Sequence, residues 1–268
     1  MSKYLNVFNT LAEYQAFSAS TEYVQPNVAL VKETNVIYYD YGDNKPQADM
    51  SDYKLESEET SVGGDKYCKS AIIKVNYIPS GITNLSDAFN GFTSIVTAPE
   101  IPSGVTSLYG TFYGCNSLVN APLIPSGVTS MNSTFANCKS LVNAPEMPDS
   151  VTDVGSTFNG CSSLVNVPNI SSGVWYMGYT FNGCTSLVKS PTIPSRVNEM
   201  QYTFQYCSSL KEVTLLPTTP PRYYVALLGC SSLETIYVPD SAVDAYKTAT
   251  GWSQFASKIK PLSSKPTA

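Results

Sequence analysis

A solenoid of seven 23-residue repeats, β-rich and stacked in parallel, is the fold this sequence predicts, and three observations carry the prediction. Phenylalanine returns at Phe89, Phe112, Phe135, Phe158, Phe181 and Phe204, each 23 residues after the last, with Leu227 in the same place of a seventh, degenerate copy. Cysteine keeps that period at Cys115, Cys138, Cys161, Cys184, Cys207 and Cys230, and Phe92 takes its place in the first copy. One repeat reads Val-Thr-x-Met-x-x-Thr-Phe-x-x-Cys-x-Ser-Leu-Val-x-Ala-Pro-x-Ile-Pro-Ser-Gly. Its apolar positions follow neither a period of about 2 nor one of about 3.6, as expected of a coil that turns a corner every few residues. Residues 1–45 read as a small α/β docking module, 46–74 as an acidic linker or loop, 75–238 as the solenoid and 239–268 as a helical cap and tail.

In chain order, Tyr4 to Phe8 is a short apolar segment. Thr10-Leu-Ala-Glu13 has the form of a capping box opening a helix through Tyr14 and Phe17. Asn27–Val31 and Val36–Tyr39, joined by Lys-Glu-Thr-Asn, predict a β-hairpin. A unit of about 40 residues is too small to be very stable alone, so it is expected to dock on a partner or on another copy. From Asp43 to Asp65 the chain turns polar, with seven acidic residues against two lysines and with Gly63-Gly64.

Within the repeat, a β-branched residue precedes each phenylalanine (Ile82, Val105, Val128, Val151, Val174, Val197), and three residues after it comes a second apolar one (Leu85, Leu108, Met131, Val154, Met177, Met200). Leucine follows each cysteine place at Leu118, Leu141, Leu164, Leu187, Leu210 and Leu233. These columns are the predicted inward-facing layers, with Phe112, Phe135, Phe158, Phe181 and Phe204 and Cys115, Cys138, Cys161, Cys184 and Cys207 as their ladder. Pro-Ser-Gly, as at Pro102–Gly104 and Pro125–Gly127, predicts a corner with glycine at positive φ. One coil cannot bury its own apolar face, so each rung must stack on the next, and about seven rungs at roughly 4.8 Å give a rod about 34 Å long. Past Ile236 the pattern changes, and Ser241 is placed to cap a helix whose apolar side holds Val243 and Tyr246.

The Phe-x-x-Cys-x-x-Leu core, the proline corner and the closing Tyr-Val-Pro, Ala-Tyr-Lys, Gly-Trp and Ile259 segment resemble the BspA-like leucine-rich repeats of bacterial and phage surface proteins, over roughly residues 75 to 260. That family usually spaces Leu-x-x-Ile-x-Ile-Pro, whereas this chain has Leu-x-x-Ala-Pro-x-Ile-Pro, as at Leu118 to Pro125. The resemblance implies leucine-rich-type repeats, a role in adhesion or display, and no assigned catalytic residues.

The 268 residues are 43% hydrophobic and 14% charged, with a net charge of -5 and no basic run, so phosphate neutralisation of a nucleic acid is not expected. No run of about 18 apolar residues exists to insert in a membrane. Met1 leads into Ser-Lys-Tyr-Leu-Asn without an apolar h-region, so export through a cleaved signal is not expected. Six cysteines in one column point the same way on neighbouring rungs, which suits neither a disulfide nor four zinc ligands converging on a point. Cys68 lies outside the ladder, without an assigned role. The absence of histidine removes the usual general base and the commonest metal ligand, and no Walker loop, Gly-x-Ser-x-Gly or His-Glu-x-x-His occurs. Glu100 and Glu146 share a column two rungs apart, as do Asp153 and Glu199, which gives about 9.6 Å, at the outer limit for an inverting glycosidase. Scattered solvated carboxylates explain them more simply. No catalytic, metal or cofactor-binding residue is assigned.

Aromatic residues gather in the last rungs: Trp175, Tyr176, Tyr179, Tyr202 and Tyr206, then Tyr223 and Tyr224, where the middle rungs hold mostly Thr, Ser, Asn and Gly. Tyr179 and Tyr202 share one column on adjacent rungs. Two readings stand: bulky cover for the distal end of the core, or a contact patch for a carbohydrate or a protein, since rigid amphipathic rings give large contact area at low entropy cost. The N-terminal Leu-Asn-Val-Phe-Asn-Thr, Ala-Glu-Tyr-Gln-Ala-Phe, Pro-Asn-Val-Ala-Leu-Val and Val-Ile-Tyr-Tyr segments resemble a short module on structural proteins of gut phages, crAss-like ones among them. That resemblance implies a non-enzymatic virion appendage, a capsid-anchored head fibre or decoration protein or else a tail appendage. It would bind a phage capsid or tail protein through residues 1–45, display the solenoid to a host-surface glycan or protein, and assemble as a homo-oligomer on the virion surface. A bacterial cell-surface adhesin is the alternative.

Overall fold

One 23-residue repeat makes one full turn of a coil, because the residue 23 further on lies beside it in the next rung. Parallel backbone bridges join Asn84 to Ser107, Ser107 to Ser130 and Ser130 to Asp153, and in the same column Tyr176 to Glu199 and Glu199 to Arg222. A second column joins Thr97, Asn120, Asn143 and Asn166. The structure is a computed structural model and describes Ile78, residues 81–266 and six short strands among the first 75 residues.

Those first strands are β1 (Leu5–Phe8), β2 (Asn27–Val31), β3 (Val36–Asp40), β4 (Glu59–Val62), β5 (Asp65–Cys68) and β6 (Lys74–Val75). β2 and β3 pair antiparallel where the sequence predicts a hairpin, β1 adds parallel to β2, and β6 adds parallel to β3. The 46–74 segment is not loop throughout, since β4 and β5 pair antiparallel around Gly63-Gly64. A two-glycine connection between β-prone residues such as Val62 and Tyr67 is a hairpin signal that the acidic composition masked. The helix expected over Thr10 to Phe17 and the Cys68 side chain lie outside the described residues.

Regular strands are fewer in the coil than a β-rich solenoid leads one to expect. Only the last rungs form them: β7 (Lys189–Ile193), β8 (Glu212–Leu215), β9 (Thr235–Val238) and β10 (Ile259–Pro261) make a parallel sheet in the order β7-β8-β9-β10. Proline explains the difference. Pro99, Pro122, Pro145 and Pro168 each stand two residues after a second-column bridge residue, and a residue without an N–H cannot extend a ladder. At the same place in the last rungs stand Thr214 and Tyr237, and the bridge lengthens into a strand. Pro191 falls inside β7, whose register against β8 shifts between Lys189 and Thr192.

Elsewhere the coil is made of turns, and these are tied rung to rung by a repeated set of hydrogen bonds. The N–H groups of Phe89, Phe112, Phe135, Phe158, Phe181 and Phe204 each donate to a carbonyl of the next rung at 2.9 Å, on Thr111, Thr134, Thr157, Thr180, Thr203 and Ala226 respectively. The threonine side chains reach the other way. Thr111 Oγ1 donates to the Leu85 carbonyl at 2.9 Å, Thr134 to Leu108 at 2.7 Å, Thr180 to Val154 at 3.1 Å and Thr203 to Met177 at 2.8 Å, while the Thr157 hydroxyl is shared between Met131 at 2.9 Å and the Val154 carbonyl of its own rung at 2.8 Å. All five threonines are 0% exposed, and a hydroxyl so placed must be paired.

The thiols repeat the device. Cys115 Sγ donates to the Phe89 carbonyl at 3.2 Å, Cys138 to Phe112 at 3.1 Å, Cys161 to Phe135 at 3.0 Å, Cys184 to Phe158 at 3.2 Å, Cys207 to Phe181 at 3.0 Å and Cys230 to Phe204 at 3.0 Å. Cysteine suits this place because it is a small apolar filler that still carries one weak donor. All six thiols are buried and free. Behind them the phenylalanine rings from Phe89 to Phe204 stack at 5.3 to 5.8 Å between centroids, with planes 3° to 18° apart. The flanking Val, Leu and Met columns are equally buried and close one continuous core.

The corners differ from the sequence expectation in one respect. Each Pro-Ser-Gly closes with the next valine N–H on the proline carbonyl, as in Val105 to Pro102 and Val128 to Pro125, both at 3.1 Å, but Gly104 and Gly127 are not in the positive-φ region. A three-apart turn with ordinary φ accepts most residues, which is why Ser150 and Arg196 replace glycine there. Left-handed backbone occurs instead two residues before and two after each phenylalanine.

After β9 the chain folds over the last rung. Helix α1 (Val243–Thr248) follows a 3-10 turn at Asp240–Ala242, so Ser241 sits inside that turn and its side chain makes no cap; Ala242 is the N-cap. Tyr246 and Trp252 are buried, and they donate to the Pro217 carbonyl at 3.0 Å and the Pro221 carbonyl at 2.7 Å. Two prolines leave carbonyls without a partner strand, and the two largest side chains of the closing segment satisfy them.

Burial pushes the thiols of Cys115, Cys161 and Cys230 up to about 12, and those of Cys138, Cys184 and Cys207 upward as well. Since the ordinary thiol value is 9.0, their burial stabilises the fold below pH 9.0, and that contribution is lost as pH climbs toward about 12. Native protein exposed to iodoacetamide at about pH 8 should leave the six column thiols unlabelled, and full labelling should require denaturant. Mass spectrometry showing rapid native labelling, or disulfides among the six, would contradict the buried ladder.

Candidate ligand-contact surface

Four of the five sequence-selected aromatic residues form two ring pairs on adjoining rungs. Trp175 and Tyr176 leave the inward valine and take successive places on the bridged side of their rung, with the Trp175 carbonyl accepting from Asn198 N–H at 3.0 Å. Their rings are 5.8 Å apart at 46°. Tyr179 and Tyr202, one rung apart, stack at 4.7 Å and 26°. Tyr176 stands between the two pairs on its rung, where burial, then Glu199, Tyr179 and Asp153 nearby, raise its hydroxyl above the ordinary value of 10.0. Its ring lies over Gly178, where any Cβ would meet the hydroxyl. Trp175 is 50% exposed, whereas Tyr176, Tyr179 and Tyr202 are half-buried.

Tyr206 stands apart. Its ring lies against Gly229 of the next rung, and among the described residues no ring contact joins it to the other four. Tyr223 belongs to the closing segment instead, against Trp252 and Phe255 at 5.4 and 5.8 Å.

The backbone under these tyrosines is the unusual feature. One left-handed column runs through Asp87, Gly110, Ser133, Ser156, Tyr179, Tyr202 and Val225, with φ between 52° and 57°. The other runs through Gly91, Gly114, Asn137, Gly160, Gly183, Tyr206 and Gly229. Glycine, asparagine and aspartate tolerate this region; tyrosine and valine do so at a cost of about 1–3 kcal/mol. The coil fixes these conformations in every rung, so the choice of tyrosine is made at the expense of stability.

Carboxylates near the rings are engaged. Asp153 accepts from Ser130 Oγ at 3.0 Å, Asn132 Nδ2 at 3.3 Å and Gly155 N–H at 3.1 Å, and Glu199 pairs with Arg222 at 3.4 Å. Tyr176 occupies the column place between them. Glu100 and Glu146 are exposed. Among the described residues, Glu100 is the one ionisable group lining a shallow groove of about 870 Å³ between Ala98–Ser103 and Pro122–Pro125. Among the described residues no group of three or more acidic or cysteine side chains is placed to hold a metal ion.

Comparison with known families decides the kinship. A model described as "BspA type Leucine rich repeat region (6 copies)" matches residues 47–157 and 132–250. The chain belongs to this family. The BspA-type match begins at residue 47, within the segment that composition marks as linker. Among curated proteins none matches the chain. A leucine-rich repeat protein of T. pallidum has a similar structure, with a TM-score of 0.50 at 20% identity over 85% of this chain and 93% of that one. A leucine-rich repeat protein from Bacteroides ovatus gives 0.43 at 16% identity over 88% and 74%, and a leucine rich cell surface protein from Faecalibacterium prausnitzii gives 0.35 at 17% over 81% and 95%.

Within this BspA-type chain, Glu199 and Arg222 are site neighbours that inspection of aromatic residues alone passes over. The 23-residue register places both in the column of Tyr176, and it had already marked Glu199 as a carboxylate two rungs from Asp153. Tyr206→Gly supplies a direct test of backbone strain. Removing a left-handed tyrosine relieves about 1–2 kcal/mol, partly offset by about 0.5–1 kcal/mol of glycine entropy, so the variant should be as stable as the parent or up to about 1 kcal/mol more stable. Thermal denaturation showing a loss greater than about 1 kcal/mol would mean the ring serves as cover for the core.

Proposed function

We propose that this chain is a non-enzymatic surface-display protein, a repeat rod that holds a contact patch for a ligand outside the particle or cell that carries it. The observation that supports this reading best is the use made of the buried polar groups: the threonine hydroxyls and the column thiols are committed to neighbouring carbonyls, and the carboxylates beside the aromatic group to salt bridges and turns. Membership in the BspA-type family agrees with an interaction scaffold. In this reading the coil comprises seven rungs over 75–238, the closing segment caps the distal end, and residues 1–45 anchor the rod.

The setting is a virion surface, on the likeness of the N-terminal segment to modules of gut-phage structural proteins. Residues 1–45 then engage a capsid or tail protein, and several copies assemble together so that weak contacts add by avidity. A bacterial cell surface is the second reading, and the family itself favours it. Antibody raised against the purified chain and imaged by gold labelling separates them. Label on purified phage particles, absent from uninfected host cells, is the expected result. Label on intact bacteria that yield no labelled particles would replace the virion by the cell envelope, and label confined to the cell interior would defeat both.

A further inference from the structure

The two ring pairs of Trp175 and Tyr176 and of Tyr179 and Tyr202 carry an inference about ligand class, one that deepens the display reading above and rests on it. We propose that they form a stacking ledge for an uncharged glycan. The ledge consists of two ring pairs on one side of the coil, Trp175 with Tyr176 at 5.8 Å and Tyr179 with Tyr202 at 4.7 Å, and Tyr176 and Tyr179 are three residues apart on the same rung. Trp175, Tyr176 and Tyr179 share one rung and Tyr202 lies on the next, so a short glycan laid across the rung meets the exposed Trp175 ring and the outer sides of the stacked tyrosine pair.

Three features select a sugar over other ligands. Two of the rings, Tyr179 and Tyr202, are held where tyrosine costs stability, at φ of 56° and 53°, in a column that elsewhere carries Asp87, Gly110, Ser133, Ser156 and Val225. Hydroxyl-binding groups flank them: Glu199 and Arg222 pair at 3.4 Å and both remain part-exposed, so their free lone pairs and N–H groups are available to hydroxyls, and Asp153 is held by Ser130, Asn132 and the Gly155 N–H. An anion would meet Glu199 and Asp153, and a lone cation would compete with Arg222. The extent is also small. A protein partner buries about 800 Å² on each side of a stable interface, whereas four rings on adjoining rungs, three of them half-buried, offer the footprint of a short oligosaccharide.

The two tryptophans make the test direct, because Trp252 is 0% exposed and Trp175 is 50% exposed, so a change in solvent-quenchable emission reports the ledge. The purified full chain is first applied to an array of neutral and acidic glycans, and bound glycans are then titrated while Trp175 emission is followed. Saturable binding of neutral glycans at millimolar strength is expected, with no gain from sialylation or sulfation. The Tyr179→Ser/Tyr202→Ser double variant, which places in both positions the residue type of Ser133 and Ser156, should keep its melting temperature and bind at least about tenfold more weakly. If Tyr→Ser exchange unfolds the chain, Trp175→Ser alone, read by calorimetry, carries the same expectation. No neutral glycan altering Trp175 emission, undiminished binding by a folded double variant, or ring-dependent capture of a host protein with no glycan bound would each overturn the proposal. None of these outcomes depends on where the protein is displayed, so their failure is separate from that of the gold-labelling experiment.

Discussion

Everything in this coil depends on satisfying the carbonyl groups that a turn leaves pointing at the neighbouring rung. A sheet ladder pairs such groups automatically, but most rungs here have only single bridges and proline interrupts them. The solution is a second donor on the next rung. The Leu108 carbonyl accepts the Thr111 N–H at 3.1 Å from its own rung and the Thr134 hydroxyl at 2.7 Å from the following one; the Phe112 carbonyl likewise accepts the Cys115 N–H at 3.1 Å and the Cys138 thiol at 3.1 Å. Each such bond contributes about 0.5–1.5 kcal/mol, less than burial of one phenylalanine ring at about 1.5–3 kcal/mol, yet the bonds are directional and the rings are not. Burial therefore supplies most of the stability, and the threonine and cysteine columns supply the register.

This division of labour explains what the outer surface is free to do. Because the rungs are registered from within, the left-handed columns keep their conformation whatever side chain they carry, from Gly110 and Ser133 to Tyr179 and Val225. A surface position whose backbone is imposed by the core is a rigid mount. Tyrosines placed on it lose little further freedom when a ligand arrives, which suits weak, multiplied surface contacts better than a mobile loop would.

Much of this was legible in the sequence, for a physical reason. An unbroken 23-residue period forces equivalent residues into equivalent environments, so Phe158 and Phe181 had to stack and Cys161 and Cys184 had to share a column. Other features were hidden because they depend on backbone angles. Pro-Ser-Gly suggested left-handed glycine at Gly127, yet the turn there needs none, while Tyr179 and Tyr202 conceal the left-handed positions that glycine would have announced. The hydroxyl and thiol bonds were equally hidden, since both residues also read as plain core filler. Ser241 looked like a helix cap in sequence, but a 3-10 turn absorbed it and moved the helix start to Val243.

The measurement that bears most directly on this account is the stability of Thr134→Val beside Thr134→Ser, by reversible denaturant titration of the full chain. Valine keeps the shape of threonine and removes the donor that reaches the Leu108 carbonyl of the preceding rung at 2.7 Å. If directional pairing between rungs sets the register, the Thr134→Val variant should be less stable by about 1 kcal/mol despite its greater hydrophobicity, and the hydroxyl kept in Thr134→Ser should hold a steeper, more cooperative transition. A Thr134→Val variant as stable as the parent, or more so, with an unchanged transition would show that packing alone aligns the rungs.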